Sequence, residues 1–251
     1  MKKILFLLSA LMLAAVVVPA QPKGKNDAKK AVSENASKAE TSPIELARAV
    51  LKVHGGDNLK NAKSVVIRGS AEVSPPNSAQ TLPAVFSITY AGEKYRFEIQ
   101  APPVINFLQV FDGQQTFSSL RGFMLPPVNR IGLPLLAYID EKDFTVSALP
   151  EKLKKKQGFR ITSPEGFYTD FIIDGKTFQV KEFESAYEAN GQMVTTSVAV
   201  DKYRSVENIL VNEKFSQRIN FGQITAYVNF KTKEILVNSE LADDVFAAPN
   251  R

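Results

Sequence analysis

The chain has 251 residues, with 31 Lys and Arg set against 26 Asp and Glu, a single His and no Cys. Absence of cysteine excludes structural disulfides and thiolate metal sites. A formal charge of +5, with no Arg/Lys cluster threaded by aromatics, argues against nucleic acid as a partner.

Lys2 and Lys3, the apolar run 4–18 and the small-residue sequence Val18-Pro19-Ala20 read as an export signal over residues 1–20. The run is too short to favour a membrane span, although an uncleaved anchor is the other reading. Cleavage would remove two lysines and leave a charge of 5 − 2 = +3, and no cysteine is available there for lipidation. The expected location is periplasmic or secreted.

Residues 21–42 are rich in Lys, Ala, Ser, Asn and Glu and contain no aromatic residue. They cannot bury enough apolar surface to offset the entropy of ordering, so a disordered linker is expected before a folded domain at 43–251. Ser42 fits an N-cap, Pro43 the first helical position and Glu45 the third. Leu46, Ala49, Val50 and Val53 then share one helical face, and Gly55-Gly56 ends the helix.

Strand patterns follow. Val65, Ile67 and Gly69 alternate in the first. In the second, Leu82, Ala84, Phe86, Ile88 and Tyr90 share one face. In the third, Tyr95, Phe97 and Ile99 face inward while Lys94, Arg96, Glu98 and Gln100 face water. Residues 104–111, Phe107 among them, are apolar on both faces. Asp112-Gly113, Asp174-Gly175 and Asn190-Gly191 each lie between strand-like runs and predict tight type I′ hairpins. The lysines at 152 and 154–156 read as a solvated turn. Further strands are expected at 114–120, 144–146, 159–162, 167–173, 177–187, 192–200, 209–215, 223–230 and 235–238. The rhythm breaks at 122–137, where Phe123, Met124, Leu125, Leu133, Leu135 and Leu136 are punctuated by Pro126, Pro127 and Pro134. A short irregular helix is expected near its end.

About ten or eleven strands and two helices predict a mainly β fold, a large curled antiparallel sheet or half-open β-barrel with short helices as plug or lid. A helix of about 12 residues is about 18 Å long and spans only a few strands about 4.8 Å apart. The surplus apolar surface can therefore line a pocket. Candidate ligand-binding residues are Phe86, Ile88, Tyr95, Phe97, Ile99 and Phe107 on the strands, with Phe123, Met124, Leu125, Leu133 and Leu136 on segment 122–137. That segment is either a buried cover or a movable lid, and the alternative for the strand residues is plain core packing.

At the carboxyl end, Asn238-Ser239-Glu240-Leu241-Ala242-Asp243-Asp244-Val245-Phe246-Ala247-Ala248-Pro249 resembles the C-terminal signature of the LolA-like outer-membrane lipoprotein-sorting family. There a final strand is followed by an Asn, an acidic pair and a Phe shortly before Pro. Phe111-Asp112-Gly113-Gln114-Gln115-Thr116-Phe117, Ile173-Asp174-Gly175-Lys176-Thr177-Phe178 and the stretch from Tyr203 to Val211 resemble its hairpins and its later strand, so the match runs over residues 44–249. The resemblance implies a curled half-barrel whose cavity takes acyl chains of lipoproteins or other lipids. One departure concerns the arginine beside a proline that helps hold the family's lid shut. Here that turn reads Ala91-Gly92-Glu93-Lys94, and the nearest candidates are Lys94 and Arg96.

No catalytic constellation is legible. One His and no Cys leave no thiol nucleophile and no ordinary zinc site. His54 is expected to act as a cation at the end of the first helix. Asp140, Glu141 and Asp143 lack the spacing of a calcium loop and read as a solvated turn, and Asp243-Asp244 sits in an exposed tail. The expectation is a monomeric lipid or acyl-chain binder that is no enzyme and carries no metal or cofactor. The alternative is an envelope sensor or interaction module of the same fold with a filled core and a protein partner.

Overall fold

The computed structural model describes residues 41–76, 80–120, 124–125, 127–189, 191–221 and 224–248. The expected export signal, nearly all of the expected linker, and Phe123 lie outside the described residues. Glu40–Arg251 forms one unit.

Among the described residues, twelve antiparallel strands make a single sheet. They are β1 Val65–Ser74, β2 Leu82–Ala91, β3 Lys94–Ala101, β4 Ile105–Phe111, β5 Thr116–Ser118 and β6 Thr145–Ala148, then β7 Gly158–Thr162, β8 Tyr168–Ile173, β9 Val180–Ala189, β10 Gln192–Val206, β11 Ile209–Phe221 and β12 Ile224–Val237. Their order is β5-β4-β3-β2-β1-β12-β11-β10-β9-β8-β7-β6, so the first and last strands of the chain pair at the centre. Among the described residues, β5 and β6 are the edge strands. The sheet is therefore open, as the pattern of one-sided strands predicts, and the chain from β5 to β6 must cross between its two edges.

The turns differ from expectation in an instructive way. The hairpin closed by Ala189 and Gln192 is a two-residue link with Gly191 at φ 72°. Asp112-Gly113 and Asp174-Gly175 are no such links. In each, the Asp carboxylate accepts backbone N–H groups two and three residues on, from Gln114 and Gln115 or from Lys176 and Thr177. Such Asx capping builds a longer turn. After Asp174 the positive φ falls on Phe178 at 59°. Glu207-Asn208, at 49° and 63° between Val206 and Ile209, is a two-residue hairpin turn with positive φ at both central residues, where no glycine announces it. β11 and β12 also run past their expected ends, and no break separates Phe230 from Ile235.

Helix α1, Pro43–Val53, starts on a full capping box in which Ser42 and Glu45 bond reciprocally. It buries Leu46, Ala47, Val50 and Leu51, a face rotated slightly from the expected one, and packs on β6 and β7. Gly55 and Gly56, both at positive φ, turn the chain into the short helix α2, Asp57–Lys60. On the concave face, Gly69 has no room for a side chain, because the Phe86 ring and the Lys231 carbonyl occupy the place of a Cβ. Phe86 folds over it and meets Phe230 edge-on at 4.9 Å, and Phe230 in turn stacks on Phe215 at 4.6 Å. Each such ring pair is worth roughly 0.5–1.5 kcal/mol beyond simple burial.

The carboxyl tail lies on the opposite face. Val66, Thr89 and Val110 are buried in one cross-strand row with Arg96, whose guanidinium donates to the Val245 carbonyl at 3.2 Å. Phe246 is buried there as well. Asn238, at φ 54°, redirects the chain while its side chain accepts from the Lys63 amide. The segment carrying the family resemblance thus covers the back of the sheet.

Candidate ligand cavity

Alternation places Ile67, Ile88 and Phe97 in one cross-strand row on the concave face, with Ile99 and Phe107 in the next. The sheet curls so that these rows face Val198, Phe215, Ile219, Ala226, Val228 and Phe230 of β10 to β12 across a cavity of about 480 Å³. That volume lies within the range of small-ligand sites. The only polar side chains in its described lining are His54, Tyr90, Thr196, Asn212 and Gln217, and none of the described lining residues is charged. Thr196 and Gln217 satisfy each other with a hydrogen bond of 2.7 Å. One end is floored by Leu59 of α2, His54 and Ile209, all buried. At the other end, Pro75, Pro76 and Leu120 form a mouth, where Leu120 is 49 % exposed.

The connection from β5 to β6 roofs the cavity. Its Leu125, Val128, Ile131 and Leu133 belong to the lining, and residues Leu133–Tyr138 form a 3-10 helix begun by Gly132 at φ 64°. Polar contacts fasten it along its length. The fully buried Gln109 of β4 donates to the Leu125 carbonyl and accepts from the Leu125 amide, both at 2.7 Å. Asn129 donates to the Gly92 and Glu93 carbonyls at 2.9 and 3.0 Å, and Arg130 pairs with the Glu93 carboxylate. The Gly132 amide donates to the Thr169 hydroxyl at 3.3 Å. Asp140 accepts from Arg48 of α1 at 3.0 Å and from Lys60 of α2 at 2.6 Å. The segment is thus a cover lying over the opening. The cation that grips the Ala91–Lys94 turn is Arg130, which also lies over the Tyr138 and Phe144 rings at 5.1 and 5.5 Å. Arg96 is turned to the other face, where it pairs with Glu98.

Of the residues proposed from the sequence, Ile88, Phe97, Ile99, Phe107, Leu125 and Leu133 line the cavity. Phe86, Tyr95 and Leu136 do not. Phe86 is drawn into the aromatic stack over Gly69. The Tyr95 hydroxyl accepts from Gln109 at 2.7 Å and its ring stacks on Phe111, while the clamp to Leu125 seals it in. Leu136 points into the core and is fully buried. Met124 is 37 % exposed and contributes its carbonyl, which accepts from the Tyr187 hydroxyl at 3.2 Å. The opposite wall was the omission. The faultless alternation of Ala226, Val228 and Phe230 signals it, but alternation alone cannot say which inward faces meet.

His54 corrects an expectation. It caps α1, yet it is fully buried, and burial pushes its pKa down to about 4, so the ring is neutral at neutral pH. Its role is to accept the Val180 amide at Nε2, at 3.1 Å, while its ring meets Tyr203 edge-on. Asp140 likewise is no idle turn residue. Among the described residues, no group of three or more His, Cys, Asp or Glu could hold a metal ion.

No protein-family model matches the chain, and no curated protein matches it. Solved structures to which it is similar include a DUF1329 family protein from Desulfovibrio piger, at 10 % identity and a TM-score of 0.49 over 82 % of this chain and 98 % of that one. Another is the LolA superfamily protein NE2245 from Nitrosomonas europaea, at 10 % identity and a TM-score of 0.48 over 83 % and 99 %. A third is a putative outer membrane lipoprotein-sorting protein domain from Vibrio parahaemolyticus, at 10 % identity and 0.46 over 82 % and 96 %.

Proposed function

We propose that this protein is an exported, non-catalytic carrier that holds acyl chains, free or attached to a lipoprotein, in the cavity beneath the 124–140 cover. The observation that supports it is the lining itself: a void of about 480 Å³ between two apolar walls, without a charged side chain among the described residues. A solvated void of this kind is unfavourable, and an aliphatic chain entering it gains roughly 25 cal/mol per Å² of apolar surface removed from water. Binding of this sort needs no reacting group. Uptake and release would follow from movement of the cover, whose attachments are few and local. The N-terminal sequence pattern supports a periplasmic or secreted location.

Binding of a fluorescent long-chain fatty acid tests this reading, alongside mass spectrometry of lipid extracted from the purified protein. One chain per protein is expected, and Ala226→Phe, which fills the void from β12, should weaken binding at least tenfold while the fold is retained. Wild-type protein that carries no lipid and binds no fatty acid would rule the carrier out.

A further inference from the structure

Two residues of the closed end of the lining, His54 and Asn212, each carry a buried polar atom that has no partner, His54 Nδ1 and Asn212 Oδ1. Each belongs to a residue lining the cavity, and they are complementary. The Val180 amide donates to His54 Nε2 at 3.1 Å. A neutral imidazole that accepts at one nitrogen carries its proton on the other, which makes Nδ1–H a donor. Asn212 Oδ1 is an acceptor.

The same neighbours hold both residues. The His54 ring centroid lies 5.1 Å from that of Tyr203, and Asn212 is the cross-strand partner of Tyr203 in the β10–β11 ladder. The Leu210 amide, two residues before Asn212, donates to the His54 carbonyl at 3.3 Å. Nearby groups are already satisfied: the Tyr203 hydroxyl donates to the Val180 carbonyl at 2.8 Å, and the Asn212 carbonyl accepts from Thr232 at 2.8 Å. Neither of the two orphaned atoms bonds to them. A donor and an acceptor left unpaired in a buried place are costly to the empty protein, and a ligand that pairs with both removes that cost.

We infer that the closed end of the cavity is a polar subsite for a neutral group that both accepts and donates, a hydroxyl or an undissociated carboxyl borne on an aliphatic chain. Its oxygen accepts from His54 Nδ1–H and its O–H donates to Asn212 Oδ1, while the chain runs along the apolar walls toward Pro75 and Leu120. An ionised carboxylate fits less well at the closed end, because among the described residues no cation lines the cavity and Asn212 Oδ1 would face a negative charge. The inference rests on the acyl-chain reading above and adds the orientation and the head chemistry of the guest.

Displacement of a bound apolar dye by 1-hexadecanol and by hexadecane, on untagged wild-type protein and on Asn212→Leu, tests it. Loss of one hydrogen bond at the subsite should weaken the alcohol about five- to tenfold in Asn212→Leu and leave the alkane unchanged. As the chain has a single histidine, its Nδ1–H resonance can be followed without ambiguity in the wild-type protein. It should shift on addition of the alcohol and stay in place with the alkane, a readout that does not depend on the variant folding. Equal effects of Asn212→Leu on both guests, or a histidine resonance that does not distinguish them, would overturn the subsite while leaving the carrier standing. If neither guest displaces the dye, both readings fall.

Discussion

Along the wall of the cavity, strands β1 to β3 and β10 to β12 are each bonded to a neighbour on either side. The cover across residues 124–140 reaches the rest of the molecule through side chains instead: Gln109 on Leu125, Asn129 and Arg130 on the β2–β3 turn, Thr169 under Gly132, and Arg48 and Lys60 on Asp140. Both regions bury apolar residues against the same void. They differ in how many bonds must break together. A ladder opens only as a unit, whereas a segment held at separate points can open locally at a fraction of the global cost. The wall should therefore set stability, and the cover should set exchange of the guest.

The largest effect expected from this contrast is on the wall. Phe230→Ala removes the middle ring of the Phe86–Phe230–Phe215 stack and should lower unfolding stability in urea by about 3–5 kcal/mol. A loss below about 1 kcal/mol would mean that the stack does not hold the wall. Next comes the clamp. Gln109→Leu leaves the Leu125 amide and carbonyl without this partner and takes from the Tyr95 hydroxyl the bond it accepts from Gln109. The cost should be about 2–3 kcal/mol, and stopped-flow release of a bound fluorescent fatty acid should become several-fold faster. Destabilisation with unchanged release would show that the cover does not gate the cavity.

The wall was more legible in the sequence than the cover, and the reason is physical. Period-2 alternation is imposed by the backbone, so Ile88, Phe97, Ile99 and Phe107 could be assigned to an inward face from spacing alone. Phe86 shares that spacing yet is packed, because Gly69 on the neighbouring strand makes room for its ring, a pairing fixed only by register. The opposite wall required knowing that β12 pairs with β1, a contact between the two ends of the domain that no local signal encodes. The cover obeys no period. Its position depends on single polar side chains such as Gln109, which sits in a largely apolar strand and gives no sign of its target. The hairpins teach the same lesson on a smaller scale: Asp112 and Asp174 do mark turns, but as acceptors for amides further on, so the residue type was informative and the turn length was not.

The smallest effect belongs to the last attachment of the cover. Asp140 is partly exposed, and its bonds to Lys60 and Arg48 hold its carboxyl below the ordinary carboxylate value of 3.8. Surface ion pairs contribute little, so Asp140→Asn should cost at most about 1 kcal/mol at neutral pH. Its signature is a pH dependence. Because the folded pKa is depressed, the tie is at full strength above the unfolded pKa and weakens as pH falls through the folded one. The difference between wild type and Asp140→Asn should therefore be present at pH 7 and vanish as the solution is acidified below about 4. Release of a bound fatty acid should follow the same course, with wild type converging on the faster variant in acid. A difference that persists undiminished well below that pH would show that Asp140 acts through packing, and that the helices and the cover are not joined by charge.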